Sequence, residues 1–152
     1  MPEPLFCLDT SVLVKAFVTE EPAEESELAA ALLERALTDG RLILPSWAWA
    51  EFASVLRKKV HQQLLRSDEA AAAWASFREL PIDFLDSSEI RERAWELADR
   101  YDLPTLYDAA FLACCDLTLL REDSTPEFWT ADGRFVQKLG TARPAYVKEL
   151  RR

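Results

Sequence analysis

A chain of 152 residues is one domain's worth of sequence, and folding at this size removes about 70% of the surface an extended chain exposes, enough for a core without disulfides. Hydrophobic residues make up 49% and charged residues 30%, which excludes disordered, fibrous and membrane-spanning classes. Eighteen basic against 27 acidic side chains leave a net charge of −9, shared between both halves; such a surface repels polyanions, so a nucleic acid would have to be held by a local device.

Leu5–Leu8 is a short apolar run suited to a buried strand, and residues 11–18 continue at helical spacing. From Pro22 to Asp39 apolar residues recur every three or four positions, with Gly40 as a C-terminal stop. The five glutamates between Glu20 and Glu27 favour that helix's positive end and read as a solvated face. Leu42–Leu44 is a second strand, after which Ser46 is placed to cap a helix to about Arg66. Ser67 or Asp68 begins an alanine-rich helix that stops before Pro81, and Ile82–Leu85 is a third strand. Asp86 and Glu89 have the spacing of a capping box for a helix to Tyr101. Thr105 opens a helix to about Leu117, residues 119–126 read as a loop, and Glu127–Thr130 is a fourth strand. Gly133–Leu139 is a short helix and Ala145–Leu150 a last strand. Strands alternating with helices predict an α/β fold with a central parallel sheet between two helical layers.

Scarcity of two residue types excludes several chemistries. With three glycines and one histidine there is no glycine-rich phosphate loop, no H-E-x-x-H, and no elbow motif around a serine. Cys7, Cys114 and Cys115 lack C-x-x-C spacing and read as buried, reduced thiols. The start, Met-Pro-Glu-Pro, has no basic region before an apolar stretch, and no apolar run approaches the roughly 18 residues of a membrane span. The chain is therefore expected to be cytoplasmic, with no membrane partner.

Four acids interrupt apolar segments: Asp9 in FCLDTSVLV, Glu51 in WAWAEFASVL, Asp108 in LYDAAFLACC and Asp132 in FWTADGRF. Each follows a strand or opens a helix, positions that a parallel sheet gathers along the carboxyl ends of its strands, where open α/β folds place ligands. Two carboxylates about 5 Å apart repel by roughly 3 kcal/mol at an effective dielectric of about 20. Several such pairs call for protonation or for a cation among them. Oxygen ligands without imidazole or thiolate select a hard ion, Mg²⁺ or Mn²⁺, and that chemistry is suited to phosphodiester hydrolysis. Each acid alone also has an ordinary reading: Asp9 as a helix cap, Asp108 as the partner of Thr105, Asp132 as a turn residue. Glu51 is the only charged side chain from Leu42 to Leu56.

The segments LFCLDTSVLVK, SWAWAEFASVL, LPTLYDAAFLACC and FWTADGRF, in that order, resemble the PIN-domain nucleases and, within them, the VapC-type toxins of toxin–antitoxin pairs. The resemblance implies a single PIN domain over residues 1–152, a three-layer α/β/α sandwich, and a metal-dependent endoribonuclease with RNA as substrate. It carries Asp9, Glu51, Asp108 and Asp132 over as acidic metal ligands, and Thr10, Ser11 and Thr130 as polar groups that orient those acids or water. It also implies a homodimer and a basic antitoxin partner.

Other features admit milder readings. Arg57, Lys58, Lys59 and Arg66, or Arg134 and Lys138, could meet an RNA backbone, though basic residues on helices are usually just solvated. Trp47, Trp49, Trp74, Trp95 and Trp129 could stack bases or fill a dimer seam, with core filling the default, and His61 reads as surface. An RNase H-like nuclease would need antiparallel strands around its first aspartate, and an aspartyl phosphotransferase would need an acid where Ser11 stands. A PIN-fold interaction module without activity and a housekeeping nuclease outside any toxin pair are the alternatives.

Overall fold

The computed structural model describes residues 2–121 and 123–151. Five strands, β1 (Glu3–Leu8), β2 (Arg41–Pro45), β3 (Ile82–Leu85), β4 (Ser124–Thr130) and β5 (Val147–Glu149), form one sheet in the order β3-β2-β1-β4-β5. Every pairing is parallel, with Leu5 opposite Arg41 on one side of β1 and Pro126 on the other. The helices are α1 (Thr10–Phe17), α2 (Ala23–Asp39), α3 (Ala48–His61), α4 (Ser67–Arg78), α5 (Ser88–Arg100), α6 (Tyr107–Leu119) and α7 (Gly133–Leu139). A single 3-10 turn follows at Gly140–Ala142.

Alternation along the strands separates two helical layers. Phe6 meets the Arg35 guanidinium of α2, 4.9 Å from its ring, while Cys7 turns the other way toward the Phe111 carbonyl of α6. On β4, Trp129 likewise meets Arg35 and Phe128 packs against Phe111. α6 lies under the sheet with residues Ala109–Cys115 all buried, which explains why it is apolar around its whole circumference. A second cluster joins α1, α3 and α4, where the Phe52 and Phe77 rings stack at 4.3 Å with Phe17 edge-on to both. The three-layer α/β/α sandwich predicted from the sequence is the observed architecture.

Topology fixes where a ligand can enter. The chain leaves β1 toward β2 and β3, then crosses to the opposite side of β1 to form β4 and β5. The direction reverses between β1 and β4, and beyond the carboxyl ends of strands at such a point an open α/β sheet leaves a crevice.

Several boundaries differ from the sequence reading, each for a local reason. α3 stops at His61 rather than Arg66, because Gln63 takes a left-handed φ of 61° and Leu64 donates its amide back to the Lys59 carbonyl. Ser46 does not cap α3; its amide is bound to the Leu85 carbonyl and Trp47 occupies the cap position without a side-chain bond. Ser87, rather than Asp86, caps α5 by accepting from the Ile90 amide at 3.1 Å, while Asp86 pairs with Arg91. α6 begins two residues after Thr105 and runs on to Leu119 without a side-chain cap. β4 starts at Ser124, inside the expected loop, because residues 3–8 pair with it along their whole length. β5 is shorter than expected.

Gly40 ends α2 as anticipated, but at an extended φ of −159°. Its lack of a side chain serves packing, since a Cβ there would collide with the Pro4 carbonyl of β1. The core reading of the tryptophans holds in part: Trp47, Trp74 and Trp129 are partly buried and packed against the core, whereas Trp49 and Trp95 are 49% and 64% exposed. The three cysteines are free and buried, and His61 is exposed, as expected. No helix among the described residues is long and apolar enough to cross a membrane.

Candidate active site

Asp9 is the first residue after β1 and sits at the start of α1, yet its carboxyl makes no capping bond. The backbone does that work, with the Asp9 carbonyl accepting from the Val12 and Leu13 amides. The carboxyl is buried and receives two hydroxyl protons on one oxygen: Oδ2 accepts from Thr130 Oγ1 at 2.8 Å and from Ser11 Oγ at 3.1 Å. Both hydroxyls also accept. Ser11 takes the Ala131 amide at 3.1 Å and Thr130 takes the Asp132 amide at 3.0 Å. The corner after β4 is thereby tied to Asp9 by two parallel hydroxyl bridges.

Glu51 lies in the first turn of α3 and accepts from the buried Thr10 hydroxyl. Asp108 lies in the first turn of α6 and, among the described residues, holds no hydrogen bond to Thr105, so the capping reading does not apply to it. Asp132 is the N-cap of α7, where its Oδ1 accepts from the Arg134 and Phe135 amides at 3.0 and 3.2 Å. The sequence offered a turn role for Asp132; its place is the cap of α7, with one of its two oxygens used in this way.

The four acids meet electrostatically. Burial is the main cause that lifts Asp9 to a pKa of about 7; the Thr130 hydrogen bond opposes it, and the charges of Asp108 and Glu51 raise it further. Asp108 is lifted to about 6, first by burial and then by the charges of Glu51 and Asp132. Both carboxyls are thus held well above the ordinary range of their kind by a low-dielectric setting and by one another. Perturbed groups of this sort cluster at functional sites.

The donor set consists of carboxylate and hydroxyl oxygens, the chemistry that suits a hard divalent ion. One oxygen of Asp9 is committed to hydroxyl donors, which leaves the other for a cation. Among the described residues no three acidic, His or Cys side chains stand close enough to form a finished metal cage.

The basic candidates fare differently. Lys59 is turned inward, where it and Lys15 both pair with Glu20, so Lys59 belongs to a clasp between α1 and α3 and Glu20 is not part of a solvated face. Arg66 is exposed and paired with Asp68, and Lys138 lies 3.8 Å from Asp102. Arg57, Lys58 and Arg134 are exposed. An aromatic pair stands beside the acids: Trp47, one turn before Glu51, and Tyr107, immediately before Asp108 and given no role in the sequence reading, meet edge to face at 5.2 Å. A large aromatic residue next to a candidate ligand, on the first turn of a helix, was the available signal.

Residues 6–138 match the model of the PIN domain family, and the chain belongs to that family. No curated protein matches the sequence. Among solved structures, the chain is similar to Mycobacterium tuberculosis VapC20, described as a Sarcin-Ricin loop cleaving toxin, at 15% identity and a TM-score of 0.59, over 87% of this chain and 93% of that one. It is similar to a toxin-antitoxin complex from Klebsiella pneumoniae at 20% identity and a TM-score of 0.58, over 93% and 94%. It is also similar to VapBC2 from Rickettsia felis, bound to a DNA fragment from the promoter, at 13% identity and a TM-score of 0.60, over 97% and 99%. At these identities the likeness is one of fold.

Proposed function

We propose that this PIN-domain protein is a metal-dependent endoribonuclease of the VapC type, the toxin of a toxin–antitoxin pair. The observation that carries the proposal is the set of acids at the β1/β4 switch point, where Asp9 and Asp108 are raised to about 7 and 6 by burial and by their acidic neighbours. Membership of the PIN family and the toxin folds it resembles support the same reading.

Asp9, Glu51, Asp108 and Asp132 would hold Mg²⁺ or Mn²⁺. When bound, the ion supplies Lewis acidity toward a phosphate oxygen and lowers the pKa of a water to make the nucleophile. The chain's own residues prepare that chemistry. Ser11 and Thr130 fix the Asp9 carboxyl by occupying Oδ2, and Thr10 does the same for Glu51. The α7 amides fix Asp132 through Oδ1, so its other oxygen faces no competing helix donor. A cation among these groups also makes a surface of net charge −9 approachable by a phosphate. The homodimer, the basic antitoxin and a cytoplasmic setting belong to the same proposal. An acidic cluster in a molecule of this charge is complementary to a basic inhibitor segment.

The test is cleavage of end-labelled RNA by the purified protein with Mg²⁺, Mn²⁺ or EDTA, comparing wild type with Asp9→Asn and Asp108→Asn. Metal-dependent cleavage abolished by either substitution is expected. Cleavage that survives EDTA or both substitutions, or none by the wild type in any metal, overturns the nuclease reading and leaves an interaction module.

A further inference from the structure

We infer that Tyr107 is a base-stacking residue, which receives an unpaired nucleobase of the RNA strand beside the phosphate being cut. The inference rests on the nuclease reading and names a substrate contact within it.

Placement is the first argument. Tyr107 is the first residue of α6 and directly precedes Asp108, whose carboxyl senses Glu51 and Asp132. Its ring meets Trp47, which lies four residues before Glu51 and so on the same side of α3. The pair therefore borders the acids from both helices that carry Glu51 and Asp108.

Rigidity is the second. Trp47 packs edge-on at 5.4 Å against Phe111, which is completely buried, and Phe111 in turn meets the buried Phe128 of β4 at 5.9 Å. A continuous aromatic column runs from the sheet to the surface and ends in Tyr107, 60% exposed. A ring braced in this way loses little freedom on taking up a base, which is where stacking surfaces gain affinity.

The third is the contrast with the other two tyrosines. The Tyr101 hydroxyl donates to the Ala142 carbonyl at 3.0 Å and the Tyr146 hydroxyl to the Leu112 carbonyl at 3.1 Å, so each is tied into the fold. Among the described residues the Tyr107 hydroxyl has no such tie. Every nucleobase has a π-face, so an aromatic surface grips single-stranded RNA without adding positive charge, which suits a protein this acidic.

Binding of a fluorescent single-stranded RNA is measured in EDTA for wild type, Tyr107→Ala and Tyr107→Phe, beside the same oligomer with abasic positions and beside Trp95→Ala, which removes an exposed aromatic on α5. Cleavage is measured separately with Mn²⁺. Expected is a loss of about 5- to 150-fold in affinity for Tyr107→Ala, the range of one base–aromatic stack, with most of it recovered in Tyr107→Phe. The abasic oligomer binds wild type and Tyr107→Ala alike, and Trp95→Ala binds as wild type does. Equal affinity of Tyr107→Ala and wild type for the intact RNA, an equal loss on the abasic oligomer, or no RNA binding by wild type overturns the inference. If wild type cleaves RNA while Tyr107→Ala binds normally, stacking fails and the nuclease reading stands. Tyr107-dependent binding without cleavage in Mn²⁺ overturns the nuclease reading, and with it the place of the base beside a cut phosphate, and leaves Tyr107 as a stacking contact of an RNA-binding module.

Discussion

The Thr130 hydroxyl donates to Asp9 Oδ2 at 2.8 Å across 121 residues of sequence, and the same oxygen of Thr130 accepts the Asp132 amide at 3.0 Å. One side chain thus joins the end of β1 to the corner after β4, the two places that border the switch point. Two acids widely separated in sequence are held in a common frame by a neutral hydroxyl rather than by a charge.

Thr130→Val keeps the shape and removes both bonds. Thr130 is completely buried, so the Asp132 amide loses its acceptor and Asp9 Oδ2, itself buried, keeps only the Ser11 hydroxyl. The expected cost is about 1–3 kcal/mol of stability, read from urea unfolding. RNA cleavage falls further than stability does, and Thr130→Ser restores most of both. Wild-type unfolding and cleavage by Thr130→Val would show that the bridge does nothing.

Asp9 makes stability depend on pH in a particular direction. Its folded pKa of about 7 lies above the ordinary 3.8, so between those values the folded state keeps a proton that the unfolded state has released. Stability from this group is therefore fully present below about pH 4 and is lost as pH rises through 7, by at most about 4 kcal/mol. In EDTA the wild type is expected to melt lower at pH 8 than at pH 5.5. Asp9→Asn, which can still accept from Ser11 and Thr130, flattens that slope and melts higher than wild type at pH 8 while losing cleavage. A wild-type melting temperature that rises from pH 5.5 to 8 contradicts this.

The strands and the four acids were legible in the sequence because both depend on local signals: short apolar runs, and a charge where neighbours are apolar. Helix ends were less so. Asp86, Ser46 and Thr105 all have cap chemistry, yet Ser87 caps α5 and no side chain caps α3 or α6. The reason is that a cap is decided by where the chain turns, and the β2–α3 turn is set by the Ser46 amide binding Leu85 across the sheet. Lys59 and Glu20 were likewise unreadable as a pair, since 39 residues separate them and only the packing of α1 against α3 brings them together.

Gly40→Ala tests the close approach of α2's exit to β1. Its φ of −159° suits any residue, so the penalty is purely steric: the new methyl meets the Pro4 carbonyl and the Phe6 ring. Backbone cannot yield there without disturbing the β1–β2 pairing. A loss of about 1–3 kcal/mol or more is expected by chemical denaturation. A neutral or stabilising result would mean that β1 shifts freely at its start.

Lys59→Gln separates a structural lysine from a substrate-binding one. Lys59 pairs with Glu20 and keeps only 16% of its side chain exposed, while Glu20 also serves Lys15 at 3.8 Å. Removing the charge is expected to cost about 1.5–3 kcal/mol, toward the lower end because Glu20 is partly solvated. RNA affinity should stay within about twofold of wild type. A large drop in affinity with unchanged stability would return Lys59 to the substrate groove.

Metal uptake should release protons, and its pH dependence follows from the same acids. At pH 5.5 Asp9, at about 7, and Asp108, at about 6, are mostly protonated, whereas at pH 8 both are charged. Mn²⁺ must displace those protons, so its affinity rises steeply between the two pH values. Because the ion binds the folded state alone, the gain appears as a rise in melting temperature at saturating Mn²⁺ that is large at pH 8 and small at pH 5.5. High pH weakens the protein in EDTA, so the two melting curves should lie close together at low pH and diverge over the pH range where Asp9 titrates, with the Mn²⁺ curve always the higher. Calorimetry in buffers of different ionisation enthalpy counts the protons released, and Asp108→Asn should lower both the count and the affinity. An Mn²⁺ effect on melting that is equal at pH 5.5 and pH 8, or is kept in Asp108→Asn, would place the ion elsewhere on the molecule.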